Sequence, residues 1–128
     1  MIAGIGLDIV EVPRIESAIK KWGDKFERKL FTAAELKSCR HKAMRLQQLA
    51  GRFAAKEALF KALGTGLRQG MLWNDVEVRN DPLGKPVIQL TGETKRFADL
   101  LEISEILVSL SHTCNYAAAQ VILISKKC

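Results

Sequence analysis

The chain has 128 residues, of which 48% are hydrophobic and 27% charged, with a formal net charge of +6. This length predicts one domain, residues 1–128, with a core that needs no disulfide or metal. No apolar stretch approaches the roughly 20 residues that span a bilayer, and no basic leader precedes the first apolar run, so we expect no membrane partner and no export signal. Three widely separated cysteines, Cys39, Cys114 and Cys128, lack metal-site spacing and indicate the reducing cytoplasm.

Residues 2–10 alternate in the manner of a β-strand. One predicted face carries Ile5, Leu7 and Ile9, and the other carries Gly4, Gly6 and Asp8. The glycines do not make a dinucleotide-binding fingerprint, because Ile9 stands where a third glycine would be needed. Either a bulky ligand or a closely packed helix could lie against the glycine face, and this motif alone favours the helix.

Three short helical segments are predicted next: Pro13–Trp22, residues 25–30, and a third that follows Thr32 and runs to about His41. Pro13 suits the first turn of its helix because the proline nitrogen has no hydrogen to leave unpaired. Thr32 and Glu35 have the spacing of a capping box, which satisfies two free backbone N–H groups at a helix start.

The longest predicted helix runs from about Arg45 to Leu63, and Gly64 follows at a natural C-cap position. On this helix Glu57 lies about 40° from Phe53, inside the arc of apolar side chains. A carboxylate there loses its water, which is costly unless something pairs with it. An ordinary i,i+4 ion pair with Lys61 is one explanation.

The second half of the chain predicts strands joined by tight turns. The expected order is a loop at 64–70, strands at 73–80 and 87–92 around a turn at 81–86, a helix at 92–103, and strands at 106–112 and 116–124. Tight turns force antiparallel pairing. The fold class is therefore α+β, with a small antiparallel sheet packed against the long helix.

Asp8 and Glu57 come from different elements and could share a cation. Two carboxylates completed by water and substrate oxygens suit Mg²⁺. Lys61 lies at the edge of the same helix face, where it could reach a phosphate, while Arg52 and Lys56 add positive charge near the helix start. Metal, carboxylates and a lysine together indicate a phosphoryl-transfer site.

His112 ends an apolar alternation at the close of a predicted strand. A lone histidine in such a position is more often structural than catalytic. Ser109 and Ser111 face the other way, so the spacing gives no serine–histidine dyad. His112 and Thr113 could instead bind a phosphate.

Positive charge is concentrated in residues 14–45, which hold ten Lys or Arg and four acids. This segment is either a docking surface for an acidic partner or a solvated helical face. The sequence pI of about 9.4 also fits a nucleic-acid-binding module. Only Trp22, Phe26 and Phe31 lie among the basic residues, however, and no nucleic-acid motif is present. A module that binds an acidic partner without chemistry is a third alternative.

Read together, four stretches resemble the holo-[acyl-carrier-protein] synthase family of 4′-phosphopantetheinyl transferases. They are GIGLDIVEVPRI (4–15), GRFAAKEALFKALGTG (51–66), GKP (84–86) and SHTCNYAAAQV (111–121). The resemblance covers essentially the whole chain, in the family's order and spacing.

The resemblance implies a Mg²⁺-dependent enzyme of fatty acid biosynthesis. Such an enzyme moves the 4′-phosphopantetheine arm of coenzyme A onto a serine of apo acyl carrier protein and releases 3′,5′-ADP. It implies a metal at Asp8 and Glu57, with Lys61 completing the catalytic set. It places contacts to the nucleotide part of coenzyme A at Arg52, Lys61, Gly64, Lys85, His112 and Thr113. The general base stays open among Glu57, Asp8, His112 and a metal-bound water.

The resemblance also implies a homotrimer whose sites are shared between neighbouring subunits, so that His112 would serve an adjacent site. Acyl carrier proteins are acidic, which gives the basic segment a partner. A nucleic-acid partner is then not needed to explain its positive charge. The implied carrier-docking residues are Arg14, Lys20, Lys21, Lys25 and Arg28.

Overall fold

The computed structural model describes residues 1–40, 43–68 and 70–126. Its elements are β1 (Ile2–Glu11), α1 (Val12–Trp22), α2 (Asp24–Leu30), α3 (Ala33–Cys39), α4 (Arg45–Leu63), a 3-10 helix (Trp73–Asp75), β2 (Val76–Asn80), β3 (Pro86–Leu90), α5 (Gly92–Leu100), β4 (Ile103–His112) and β5 (Tyr116–Ser125). The predicted α+β class and the order of helices and strands are confirmed. No helix in these described ranges is long and apolar enough to cross a membrane.

The strands form a three-stranded antiparallel sheet in the order β1-β5-β4 and a separate β2-β3 hairpin. Helix α4 packs across β1 and β5. Small side chains such as Ala54 and Ala58 on α4 meet Val121 and Leu123 of β5 in the main hydrophobic core. The predicted packing of a small antiparallel sheet against the long helix is confirmed.

The glycine face of β1 is covered by α4 itself. A Cβ atom at Gly6 would lie 1.9 Å from the Ala58 carbonyl oxygen, and one at Gly4 would lie 2.1 Å from that of Ala62. Any larger residue would therefore push the strand off the helix. Of the two explanations for this face, a ligand is wrong and a closely packed helix is correct.

The apolar face of β1 points away from the core. Ile5, Leu7 and Ile9 are 61%, 64% and 67% exposed. Within the sheet, Ile5 is in register with Ile122 of β5, and Ile122 is in register with Leu107 of β4. The outer surface of the sheet thus presents a row of exposed or half-buried aliphatic side chains.

Both predicted caps are confirmed. Thr32 Oγ1 accepts a hydrogen bond from the Glu35 backbone N–H at 3.2 Å, and the Thr32 N–H donates to Glu35 Oε1 at 2.9 Å. Gly64 ends α4 in the left-handed region at φ 80°. The predicted end of the third helix near His41 lies outside the described residues.

The start of the predicted strand 73–80 is wrong. Trp73–Asp75 is a 3-10 helix, and the strand begins only at Val76. The Asp75 carboxylate accepts hydrogen bonds from the Leu72 N–H at 3.0 Å and the Thr94 hydroxyl at 2.8 Å. These bonds hold the segment in a turn that strand geometry would break.

The predicted helix 92–103 also ends too late. Helix α5 stops at Leu100, Glu102 adopts a positive φ of 58°, and β4 already begins at Ile103. The Glu102 N–H donates to the Asp99 carbonyl at 3.0 Å, which closes the turn between helix and strand.

Candidate active site

Asp8, Glu57 and Lys61 meet where β1 lies against α4. Lys61 Nζ donates hydrogen bonds to Asp8 Oδ1 at 2.7 Å and to the Leu7 carbonyl at 3.1 Å. The salt bridge of Lys61 therefore joins the helix to the strand, rather than forming the ordinary i,i+4 pair with Glu57.

The two carboxylates influence each other. Burial raises the pKa of Glu57, and the negative charge of Asp8 and a hydrogen bond to Asp8 raise it further. The positive charges of Lys61 and Arg14 act in the opposite direction. The hydrogen bond to Asp8 raises the pKa of Lys61. The net shift of the Glu57 pKa is upward, which shows that these cations do not fully offset the burial of Glu57 and the negative charge of Asp8.

This carboxylate pair fits a divalent cation. Asp8 is buried, and when Glu57 is ionised the Oδ2 of Asp8 accepts no hydrogen bond. A buried carboxylate oxygen is costly to leave unpaired, and hard cations prefer oxygen ligands. Among the described residues no group of three or more His, Cys, Asp or Glu could hold a metal. Asp8 and Glu57 would thus leave further ligand positions to water or substrate oxygens, as suits Mg²⁺.

A groove of about 460 Å³ opens beside Glu57. Its walls are mainly apolar and include Ile15, Ala18, Phe26, Leu30 and Phe53, and its polar members besides Glu57 are Glu11, Arg14 and Tyr116. An apolar groove with a few polar groups is typical of a small-molecule or cofactor site. Sequence reasoning missed this groove because it assigned Phe53 to the core, and no local signal places α1 and α2 opposite α4.

A second groove, of about 430 Å³, brings together three residues predicted to contact the nucleotide. Arg52, Lys85 and His112 all line it. Only 4% of Arg52 is exposed, and its guanidinium donates to Gln48 and Ser38 at 3.3–3.4 Å, while its Nε has no partner. A buried guanidinium whose described partners are neutral favours an anionic ligand.

The two grooves open on different sides of α4. Arg52 and Glu57 are five residues apart, which places them about 140° apart around the helix. Within one chain the structure therefore does not bring Arg52 and His112 to the groove that contains Glu57.

Two other predicted ligand residues have structural roles of their own. Gly64 caps α4 and is exposed. The Thr113 N–H donates to the Tyr116 carbonyl at 2.8 Å, and its Oγ1 accepts from the Tyr116 N–H at 3.2 Å, which closes the β4–β5 turn. Contacts from Gly64 and Thr113 to a nucleotide stay predictions.

The five predicted docking residues are all exposed, but they do not share one groove. Arg14 lines the groove beside Glu57, and Lys25 lines a neighbouring one that shares Phe26 with it. The Lys21 Nζ lies 5.0 Å from the centre of the Trp22 ring.

The other two predicted docking residues sit differently. Lys20 makes only a loose 3.9 Å contact with Glu16. Arg28 lines a separate polar groove formed by α2 and α3. Arg14 and Lys25 therefore line two grooves that share Phe26, whereas Arg28 lines neither of these.

The prediction that Lys56 adds positive charge to the site is wrong. Lys56 is fully buried, and its Nζ donates to Glu35 Oε1 at 2.7 Å. Burial lowers the pKa of Lys56, and the Glu35 carboxylate opposes that shift. Sequence reasoning missed the pair because the capping box already accounted for Glu35.

Comparisons with known proteins agree over nearly the whole chain. A model described as the 4′-phosphopantetheinyl transferase superfamily matches residues 4–121. Two relatives named holo-[acyl-carrier-protein] synthase, from Koribacter versatilis and Geobacter metallireducens, are 46% and 48% identical to the chain, and each alignment covers 96% of this chain and 98% of the relative.

Solved structures give the same result. The crystal structure of holo-[acyl-carrier-protein] synthase from Neisseria meningitidis has a TM-score of 0.90 at 34% identity and covers 98% of this chain and 100% of its own. That of the Helicobacter pylori enzyme in complex with coenzyme A has a TM-score of 0.83 at 32% identity, covering 94% and 99%.

Replacing Glu57 by glutamine should stabilise the metal-free protein at neutral pH. Because folding raises the pKa of Glu57, its stabilising contribution is full below the unfolded value of about 4.5 and is lost as the pH rises through the folded value. In buffer with EDTA, Glu57→Gln should melt higher than the unsubstituted chain at pH 7.5, and the gap should shrink toward pH 4.5 or below. Calorimetric melts across this range measure it; a lower Tm for Glu57→Gln at pH 7.5 contradicts it. A change of about 1 kcal/mol corresponds to roughly 4 °C in a domain of this size.

Proposed function

The chain belongs to the 4′-phosphopantetheinyl transferase superfamily, and from that premise we propose that it transfers the 4′-phosphopantetheine group of coenzyme A to a serine of apo acyl carrier protein. The relatives' names and the coenzyme A in the Helicobacter pylori structure support both substrates. The observation that carries the proposal is the Asp8–Glu57 carboxylate pair, held beside Lys61, with Glu57 lining an apolar groove.

In the proposed reaction the serine hydroxyl gives its proton to a general base and its oxygen bonds to the β-phosphorus of coenzyme A. The bond from that phosphorus to the oxygen bridging the two phosphates breaks. The products are the holo carrier and 3′,5′-ADP. Asp8 and Glu57 would hold Mg²⁺, which when bound supplies positive charge against the pyrophosphate. Lys61 donates to Asp8 yet is about half exposed, so its ammonium can add charge toward the leaving phosphate.

We assign the nucleotide part of coenzyme A to the groove lined by Arg52, Lys85 and His112. The unpaired Nε of buried Arg52 supports a phosphate there. Because this groove opens on the other side of α4 from Glu57, the proposed site combines the Asp8–Glu57 pair of one subunit with the Arg52 groove of a neighbour.

The exposed outer face of the sheet supports an assembly that would build such shared sites. Ile5, Leu7 and Ile9 are all more than 60% exposed on one strand face. Contiguous exposed apolar surface of this kind marks protein interfaces. We propose that this face is buried in a homotrimer, the assembly that the family resemblance implies.

We propose the cytoplasm as the place of action and fatty acid biosynthesis as the pathway that uses the holo carrier. The thiols of Cys39 and Cys114 are free, as expected in a reducing compartment.

The proposed carrier docks where the basic segment meets the groove beside Glu57. Arg14 lines that groove and acts electrostatically on Glu57, while Lys21 and Lys25 lie near the exposed ring of Trp22. An acidic carrier bound across these residues would bring its serine toward the carboxylate pair. These positive charges would raise the rate at which the acidic carrier associates with the protein, as well as its affinity.

The transfer itself can be measured by mass spectrometry. With apo acyl carrier protein, coenzyme A and Mg²⁺, the carrier should gain the mass of phosphopantetheine, and EDTA should abolish the gain. Glu57→Ala should lower the rate about 100-fold or more, because it removes one of two cation ligands and the charge that orients the site. Lys61→Ala should lower turnover more than carrier affinity.

Lys95→Ala is the matched control, since Lys95 pairs with Asp99 on the surface of α5. It should keep the full rate. Normal transfer by a folded Glu57→Ala variant would remove the metal assignment, and a carrier-affinity loss alone in Lys61→Ala would move Lys61 to the docking surface.

Charge reversal at Arg14 tests carrier docking. Arg14→Glu should weaken binding of the apo carrier about tenfold at low salt, and the loss should shrink at 0.5 M NaCl because salt screens exposed charges. Binding is measured by calorimetry without coenzyme A, so that turnover does not contribute. Lys95→Glu carries the same charge change on α5 and should bind normally. A loss at Arg14 that salt leaves unchanged would argue against electrostatic docking.

Shared sites can be tested by complementation. Glu57→Ala and His112→Ala each damage a different half of the proposed site. When the two are refolded together, random assembly leaves about one site in four with both halves intact, so about a quarter of the activity should return. Sedimentation shows whether mixed oligomers form. Mixed oligomers without recovered activity would contradict a site shared between subunits.

A further inference from the structure

The buried pair of Lys56 and Glu35 is not part of either groove. Both side chains are 0% exposed, and their Nζ–Oε1 distance is 2.7 Å. Lys56 is on α4 and Glu35 is on α3, and two of the other charged residues of α4, Arg52 and Glu57, each line one of the grooves.

Every proton of the Lys56 ammonium has an acceptor. Besides Glu35, it donates to the Leu30 carbonyl at 2.7 Å and the Trp73 carbonyl at 3.3 Å. With three acceptors and no exposure, Lys56 has no means of touching a substrate. Any effect that it has on the reaction must pass through other residues.

Glu35 is equally fully bonded. Its Oε1 accepts from the Thr32 N–H at 2.9 Å, and its Oε2 accepts from the Val78 N–H at 2.9 Å. The pair therefore ties the end of α2, the start of α3, the 3-10 helix and β2 to a single point on α4.

Net stability is a weak reason for such a pair. The cost of removing both charges from water offsets much of their attraction, and apolar replacements of similar shape are often as stable. A fully bonded buried pair does fix the orientation of the helix that carries it, because three acceptors on three different segments allow only one position of the ammonium.

The orientation of α4 matters because Lys56 lies between residues that line the two grooves. Lys56 is one residue before Glu57, about 100° around the helix, and four residues after Arg52, about 40° around it. A 20° rotation of α4 would move a side chain on the helix surface by about 2 Å. Errors of about 1 Å in the placement of reacting groups are enough to cost about 100-fold in rate.

Resting on the proposed function, we propose that Lys56, held by Glu35, is a positioning residue that sets the rotation of α4 about its axis. The Gly4 and Gly6 contacts fix how close β1 lies to α4. The Lys56 bonds fix which way the helix faces, so that Glu57 meets Asp8 on one side while Arg52 faces the second groove.

The test compares the double variant Lys56→Met/Glu35→Gln, which leaves no charge at this position, with Lys95→Met/Asp99→Asn. The control removes an ion pair with the same Nζ–oxygen distance of 2.7 Å, but that pair lies exposed on α5 and bonds to none of the segments that hold Lys56. Both variants are assayed at a temperature where circular dichroism shows them folded.

The double variant should lose at least about tenfold in kcat, and the rise in its Tm on adding Mg²⁺ alone should fall to less than half that of the unsubstituted chain. Lys95→Met/Asp99→Asn should keep kcat within about twofold and keep the full Mg²⁺ effect. A folded double variant with unchanged kcat and Mg²⁺ effect would overturn the positioning role.

If the double variant does not fold, Glu35→Gln answers the same question, because it keeps the Lys56 bonds to Leu30 and Trp73. It should lose about threefold in kcat and show a smaller Mg²⁺ effect, and unchanged values would overturn the inference. Failure of the unsubstituted chain to transfer would instead refute the proposed function, whatever Lys56 does.

Discussion

The backbone contact between β1 and α4 is the constraint on which the candidate active site depends. Because Gly4 and Gly6 have no side chains, the strand lies directly against the carbonyl groups of Ala58 and Ala62. This close approach carries Asp8 alongside the helix turn that holds Glu57. Two carboxylates are thereby brought together in a partly buried place, at an electrostatic cost that a bound cation would remove.

Three charged side chains of helix α4 lie in three different environments. Glu57 lies in the groove beside Asp8, Arg52 lies in the second groove, and Lys56 lies in the interior against Glu35. A helix buried on most sides normally carries apolar residues, and α4 fills the remaining space with small ones such as Ala54 and Ala58. The alanines let the sheet approach closely, while these charged residues give different sides of the helix a different chemical character.

The two grooves and the exposed sheet face share one explanation. A single chain leaves a carboxylate pair without the cationic groove that its proposed substrate needs, and it leaves Ile5, Leu7 and Ile9 in water. An assembly that buries this face could place the Arg52 groove of one subunit beside the Glu57 groove of another. Apolar burial would then supply both the stability of the assembly and the completion of the site.

Local features follow from the sequence alone, because turn chemistry, caps and periodicity act over a few residues. The Thr32–Glu35 capping box, the Gly64 cap and the antiparallel order could all be predicted this way, and helical periodicity placed Glu57 among apolar side chains, with Asp8 as a possible partner from another element. The pairing of Lys61 with Asp8 across 53 residues and of Lys56 with Glu35 across 21 depends on how distant segments pack in the folded chain. The exposure of the apolar face of β1 depends on the same packing. Alternation shows that a strand has two unlike faces, but which face meets the core depends on the shape of what packs there, and here only the glycine face admits the helix.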